Sequence, residues 1–375
     1  MVPSARLRIL LDYRPALRQR TGVGEYAHRL AEALCRLRPA DDVTLFSSSW
    51  KDRLAPDAVA GASTVDRRIP VSVLNFAWHR LGWPPVETLG PAADVVWSLH
   101  PLLMPALRAA QVVTVHDLYF LDHPAAASRE IRRDYHALAA SHVRRADAVI
   151  ANSEYTGDLI KGRLGVPGER ITVCHPGAPA WRVREEPPAA GPILHVGTIE
   201  PRKNVAALLR AYLVLAAEQA ETPPLVFAGR LESPVAALAS GHERSELFRT
   251  HVRFLGYVSD DQRLRLYREA SMLVIASADE GFGIPALEAM TIGLPVVAAA
   301  RGSLPEVLGD AGILVDADDT VAFSRAMLRL IQDASLRRDQ AAKGVNRARR
   351  FNWDDSAARL RAAFANALDR KARRS

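Results

Sequence analysis

Residues 271–300 read SMLVIASADEGFGIPALEAMTIGLPVVAAA: an apolar run, a glycine-rich loop, a short helical stretch and a second apolar run. Pro285 suits a first helical position, because its missing N–H would have had no partner there, and Gly293 followed by Pro295 stops the helix two turns later. The spacing predicts a helix over 285–292, with strands on either side. Gly281 and Gly283 let the backbone approach a ligand closely, and the unpaired N–H groups of the helix start behind them favour a negatively charged one. Glu280 falls in the loop and Glu288 on the helix. A carboxylate at Glu288 can accept two hydroxyl hydrogens, as a ribose offers them, while Glu280 sits nearer to where a group attached to a nucleotide would hang. The stretch reads as a grip for a sugar nucleotide. The plainer alternative is an acid favouring a helix dipole plus a solvated surface acid.

The same alternation runs through the rest of the chain. LRILLD at 7–12, VTLFS at 43–47, DVVWS at 94–98, QVVTV at 111–115, DAVIAN at 147–152, ILHVG at 193–197 and LVFAG at 225–229 are short apolar runs separated by helical or loop segments. Such alternation predicts α/β domains with parallel sheets wrapped by helices, in which ligands gather at the carboxyl ends of strands. Gly22 and Gly24 open the helical stretch after the first strand, where amides can approach a phosphate or an acceptor. His116 and Asp117 stand directly after QVVTV, a place from which an imidazole can reach a sugar hydroxyl; Asp117 reads as the cap of the next turn, and Ser153 as a helix N-cap. Arg202 and Lys203 fall at or just before a helix over about 204–217, where positive charge is disfavoured by a few tenths to about 1 kcal/mol each. A diphosphate held between them would compensate, and charge developing on a leaving nucleotide would be stabilised there. Solvated cations or an ion pair with Glu200 are the alternative. Ser303 with Glu306 reads as a capping box.

The proline- and charge-rich stretch 179–192 reads as a linker, giving domains over 1–184 and 185–355. A formal charge of +7 suits anionic partners. No recognition-module signature points to nucleic acid, so sugar nucleotides and anionic lipid headgroups fit better. The Arg-rich stretch 129–145 reads as a basic amphipathic helix that could rest on an anionic membrane, or as a solvated face. Cys35 and Cys174, the two cysteines, lie outside metal-ligand spacing, and zinc is not indicated. No apolar run nears the length of about 20 residues that spans a bilayer, and the first residues lack a secretory signal, so a cytoplasmic protein is expected, with peripheral contact at the inner face of the membrane as an option.

Glu280 and Glu288 with GFGIP between them resemble the signature of the retaining glycosyltransferases of family 4 (glycosyltransferase group 1 type), and the resemblance spans nearly the whole chain, most strongly 193–315. It implies the GT-B fold, two Rossmann-like doubly wound domains facing across a cleft, with the donor mostly on the second and the acceptor on the first. It also implies that a terminal helix, 356–375, packs back on the first domain. By the same resemblance Gly22 and Gly24 lie near the donor phosphates, Tyr257 and Val258 contact the base, and Gly281, Phe282, Gly283 and Ile284 form the donor loop. Glu288 would take the ribose; His116, Arg202, Lys203 and Glu280 would be the catalytic group. The expected reaction moves a hexose, of mannose or glucose type, from a GDP- or UDP-sugar to a saccharide or lipid-linked acceptor in cell-envelope synthesis. No Asp-x-Asp pair is placed to hold a divalent ion at the phosphates, so metal independence and no cofactor are expected. A phosphorylase or nucleotide-sugar epimerase of the same fold, or a non-catalytic nucleotide-binding module, are the alternatives; Glu280, Arg202 and Lys203 together speak against the last.

Overall fold

A computed structural model of the chain describes residues 6–17, 22–38, 40–124, 134–186, 188, 190–219, 221–231 and 246–374. The chain divides into two compact units, Met1–Gly177 with Asn352–Ser375, and Ala178–Phe351. Among the described residues the first unit holds a seven-stranded sheet built from β1 (Arg8–Asp12), β2 (Asp42–Ser48), β3 (Ser63–Arg67), β4 (Val95–Ser98), β5 (Ala110–Val115), β6 (Ala148–Ala151) and β7 (Ile171–Val173). Its order is β3-β2-β1-β4-β5-β6-β7, every neighbouring pair parallel. The second unit holds β8 (Ile193–Val196), β9 (Leu225–Ala228), β10 (Val252–Phe254), β11 (Met272–Ile275), β12 (Val296–Ala299) and β13 (Ile313–Val315) in the order β10-β9-β8-β11-β12-β13, again all parallel. The central strands are buried along their whole length, as parallel strands covered by helices on both faces must be.

In each sheet the chain first builds outward in one direction and then jumps back to build in the other. The reversal falls between β1 and β4 in the first unit and between β8 and β11 in the second. Loops that leave adjacent strands in opposite directions open a crevice at their carboxyl ends, the place where such sheets bind ligands. The edge strands β3 and β7 are only half-buried and carry no apolar run, so no sequence signal marks them.

The boundary between the units comes earlier than the expected 184/185. Arg184 belongs to the second unit: its N–H donates to the Ile292 carbonyl at 3.1 Å, and its guanidinium reaches the carbonyls of Ala270 (2.7 Å) and Gly293 (3.2 Å). Trp181 packs on Tyr267 with ring centroids 5.9 Å apart. A charged, proline-rich composition looked like a linker, yet its arginine satisfies helix-terminal carbonyls that would otherwise lack donors.

The terminal helix, Trp353–Ala372, is capped by Asn352, which accepts from the Asp354 N–H at 2.8 Å. It buries Ala357, Leu360 and Phe364 in the first unit's core, against the helix Val23–Arg36. Of the expected basic helix over 129–145, His136–Arg145 is helical; Arg129, Ile131, Arg132 and Arg133 lie outside the described residues. No described helix is long and apolar enough to cross a membrane.

One ion pair pins the terminal helix. Arg361 Nε donates to Asp41 Oδ2 at 2.8 Å, both side chains almost wholly buried, and Asp41 Oδ1 also accepts from the Leu7 N–H at 3.0 Å. Arg361→Ala leaves that carboxylate buried without its cation, which is expected to cost about 3–5 kcal/mol in urea unfolding; pairing Asp41→Leu with Arg361→Met is expected to cost clearly less.

Candidate active site

The loops that follow β8 and β11 meet at the second unit's reversal point. The Ala278 N–H donates to the Arg202 carbonyl at 2.9 Å, lacing one loop to the other. Pro201–Lys203 form a 3-10 turn, Asn204 turns left-handed at φ 49°, and the helix Val205–Glu218 begins with no side-chain cap on its N-terminus. Lys203 is buried, and its Nζ donates to Glu280 Oε1 at 2.5 Å. Ser277 Oγ donates to the same oxygen at 2.8 Å. Arg202 stands 3.6 Å from Glu280 Oε2 and pairs with Glu200 at 2.9 Å.

In this arrangement the chain's own Glu280 and Glu200 lie against Arg202 and Lys203, and Glu280 is a buried, paired carboxylate. Burial pushes the Glu280 carboxyl up, but Lys203, Arg202 and Ser277 together outweigh it and hold the group below its ordinary value.

The expected capping box at Ser303 is absent. Ser303 has φ −80° and ψ −6°, not the extended backbone of a cap, and makes no side-chain cap bond. Its N–H and its hydroxyl both donate to the Glu280 carbonyl, at 3.0 and 2.9 Å. Gly302 before it has φ 60°, and a Cβ there would meet the Glu280 N and O at 2.6 Å. The loop after β12 thus closes over the backbone of Glu280.

The helix Ile284–Ile292 starts from left-handed Gly283 (φ 93°) and ends at left-handed Gly293 (φ 77°). Gly281 and Gly283 are buried and shape the loop; the Phe282 side chain turns into the core, edge-on to Phe351 at 5.6 Å, and Ile284 packs against the same core. Glu288 is buried with both oxygens engaged: Oε2 accepts from Tyr267 Oη at 2.8 Å, and Oε1 lies 3.1 Å from Arg263 Nη2. Burial, then the Glu288 carboxylate, push the Tyr267 hydroxyl well above its ordinary value, so it stays a donor. Tyr257 is exposed with the Arg230 guanidinium 5.5 Å from its ring centre, while Val258 is partly buried against the core. His195, on β8, donates from Nδ1 to the Val274 carbonyl at 3.0 Å, and its Nε2 is buried without a hydrogen-bond partner.

In the first unit, Gly22 is exposed at φ 41° and heads the helix Val23–Arg36; Gly24 is held by packing, since a Cβ there would sit 2.6 Å from the Pro15 carbonyl oxygen. His116 Nε2 donates to the Leu99 carbonyl at 3.1 Å, and its ring stands edge-on to Tyr26 at 5.2 Å. Asp117 Oδ1 accepts from the Tyr119 N–H at 3.2 Å and Ser153 from the Thr156 N–H at 3.0 Å, the capping roles read from the sequence.

Two family models match end to end: Glycosyltransferase Family 4 over residues 20–182 and Glycosyl transferases group 1 over residues 182–347. The chain belongs to the group 1, family 4 glycosyltransferases. This glycosyltransferase is 28% identical to the O-antigen chain mannosyltransferase B of Escherichia coli, over 93% of this chain and 97% of that one. It is 32% identical to the D-inositol 3-phosphate glycosyltransferase of Streptomyces bingchenggensis over 60% of this chain, and spans about half (54%) of that protein. Its fold is that of the sucrose-phosphate synthase from Thermosynechococcus elongatus, at TM-score 0.72 and 20% identity over 95% and 97% of the chains. WaaG, a glycosyltransferase involved in lipopolysaccharide biosynthesis, aligns at TM-score 0.70 and 17% identity over 94% and 98%. The fold class is therefore GT-B, two parallel α/β units.

Around Glu280 and Glu288 stand further residues that no motif marks. Arg263 and Tyr267 lie four apart on the helix Asp260–Glu269 and so share a face, a spacing visible in the sequence but without a partner to point at. His195 gave no signal, because what engages it comes from another strand, and Ser277 reaches Glu280 only through the fold of the loop they share.

Lys203→Met leaves Glu280 buried beside Ser277 with its main cation gone; a loss of about 3–5 kcal/mol is expected in urea unfolding. The double variant with Glu280→Gln should lose less than the sum of the singles, and strict additivity would show that the pair is not coupled. Burial lowers the His116 pKa to about 4 from 6.5, against the raising effects of Asp117 and Leu99. Between those values the unfolded chain binds the extra proton, so stability falls as pH drops from about 6.5 toward 4. Replacing His116 with Gln should make that decline shallower in denaturation curves recorded across the window.

Proposed function

We propose that this glycosyltransferase moves a hexosyl group from a GDP- or UDP-linked sugar to a hydroxyl of a saccharide or lipid-linked acceptor, with retention at the anomeric carbon. The supporting observation is the meeting of the loops after β8 and β11, with Lys203 and Arg202 at an uncapped helix start and the fixed carboxylate of Glu288 on the neighbouring helix. The diphosphate lies against the free N–H groups of the helix Val205–Glu218 and the two cations. Their ion pairs with Glu280 and Glu200 hold the cations in position before the donor arrives, so charge developing on the departing diphosphate meets an organised set of donors. Glu280 is a positioning residue for Lys203 on this reading.

Glu288, clamped by Arg263 and Tyr267, keeps a lone pair on each oxygen for the ribose hydroxyls. In the first unit, His116 is uncharged at neutral pH, and with its Nε2 proton committed to Leu99 it presents Nδ1 as an acceptor that orients an attacking hydroxyl. No divalent ion takes part on this reading, and activity should survive chelation by EDTA. The mannosyl and O-antigen wording of the Escherichia coli relative's name favours a mannose-type donor and envelope polysaccharide synthesis.

A thermal-shift series with GDP-mannose, UDP-glucose and related donors tests the reading, since a ligand at 100 times its Kd adds about 2.7 kcal/mol of stability. The cognate donor should raise the midpoint, and Glu288→Ala should weaken its binding about tenfold or more. If no sugar nucleotide raises the midpoint, or Glu288→Ala binds the nucleotide as the parent does, the reading fails.

A further inference from the structure

The first unit contains a cavity of about 340 Å³ that none of the donor residues touches. It is walled by Trp78, His79 and Arg80 from the turn after the helix Val71–Phe76, by the β4–β5 loop, and by His142 and Arg145 from the end of the helix His136–Arg145. His79 is 6% exposed, and both of its ring nitrogens are buried with no hydrogen-bond partner. Its ring forms part of the wall, edge-on to the rings of His100 at 5.8 Å and His142 at 6.4 Å. His142 Nδ1 accepts from the Leu103 N–H at 3.0 Å, which places the ring proton on Nε2, the nitrogen left for the cavity. Arg145 is exposed at the rim, and Arg80 brings a second guanidinium, held 3.2 Å from Asp134. None of the described residues that line the cavity is acidic.

We infer that this cavity binds the oxyanion of a phosphate-type group, which takes an N–H donor from His142 Nε2 and charge from Arg145 and Arg80. Donors that converge from separate elements suit a tetrahedral anion with several oxygens. The cavity adjoins the first unit's reversal point, because the His79 ring contacts the His100 ring at 5.8 Å and His100 Nε2 lies 3.3 Å from Asp12 Oδ2 at the end of β1. Burial, with His100 and Arg14 next, holds the His79 pKa down to about 3, and burial with Arg145 holds His142 near 4; an anion in the cavity offsets that penalty for both. The phosphate has two possible sources, a soluble ester or a lipid, and exposed Leu81 at the rim with exposed Trp83 beyond it gives a lipid tail something to lie against. Every residue involved belongs to the first unit, so the inference stands or falls apart from the donor reading.

The test follows the imidazole resonances of 15N-histidine-labelled full-length protein during titration with inorganic phosphate and with pyrophosphate, His79→Gln identifying one signal by its disappearance. Saturable movement of the His79 and His142 signals is expected, weakened about tenfold or more in Arg145→Glu, with nucleotide binding unchanged in that variant. Co-sedimentation with phosphatidylcholine vesicles, with and without phosphatidic acid, separates the sources. Binding that needs phosphatidic acid and is lost in Arg145→Glu assigns a lipid phosphate, whereas movement with soluble phosphate alone assigns a free one. Histidine signals unmoved by every probe, or an Arg145→Glu variant that responds as the parent does, would overturn the inference while leaving the nucleotide result intact.

Discussion

Lys203 and Glu280 form a charge pair taken almost wholly out of water, and the geometry of the second unit's loops is arranged around it. Burying two ions costs several kcal/mol each unless their remaining donors and acceptors are also met. Here Ser277 and Arg202 supply the rest for Glu280, and the Glu280 carbonyl is taken up by Ser303. A pair of this kind adds little net stability over a well-packed apolar one. Its consequence is positional: the turn after β8 and the loop after β11 cannot shift separately without stranding a charge, nor the loop after β12 without freeing the Glu280 carbonyl. That rigidity is what a site for a dianionic leaving group needs, since donors that must reorganise during the reaction stabilise it less.

The parallel sheets make this convergence possible. Each strand end delivers its loop to the same edge, and the reversal of strand order between β8 and β11 sends two adjacent loops apart so that a crevice opens between them. The first unit repeats the arrangement between β1 and β4. Burial there pushes the Asp12 carboxyl up, but Arg14 and His100 reverse the effect and hold it far below the usual carboxylate range, so it remains charged at the strand end. The two units thus share one device, a buried carboxylate held by a basic side chain at the reversal point, with different neighbours: a serine hydroxyl in one, a histidine ring in the other.

Much of this was legible in the sequence. Pro285 and Gly293 mark the helix that carries Glu288 because each has a backbone preference that acts locally, and the helix runs Ile284–Ile292, within a residue of the reading. The fully buried strands were visible as apolar runs, while β3 and β7 were not, since half-buried edges have mixed composition. Ser303 shows the limit of local patterns: Ser followed three residues later by Glu fits a capping box, but Ser303 has helical rather than extended backbone and its hydroxyl donates to the Glu280 carbonyl, which Gly302 lets come close. Arg184 shows it again, a charged residue in a proline-rich stretch that fastens its segment to the second unit.

The sequence by itself determined the α/β class, the two-unit plan, the family and the identity of Arg202, Lys203, Glu280 and Glu288 as residues at strand ends and helix starts. Those follow from periodicity, turn chemistry and motif, which are properties of neighbours along the chain. Only the tertiary structure decided that Glu280 serves Lys203, that Glu288 is clamped by Arg263 and Tyr267, and that His79 is left with two unpaired nitrogens beside a cavity. Pairing and burial depend on which loops the sheet order brings together, and residues 77 positions apart, as Lys203 and Glu280 are, carry no mark of each other until the strands are in register.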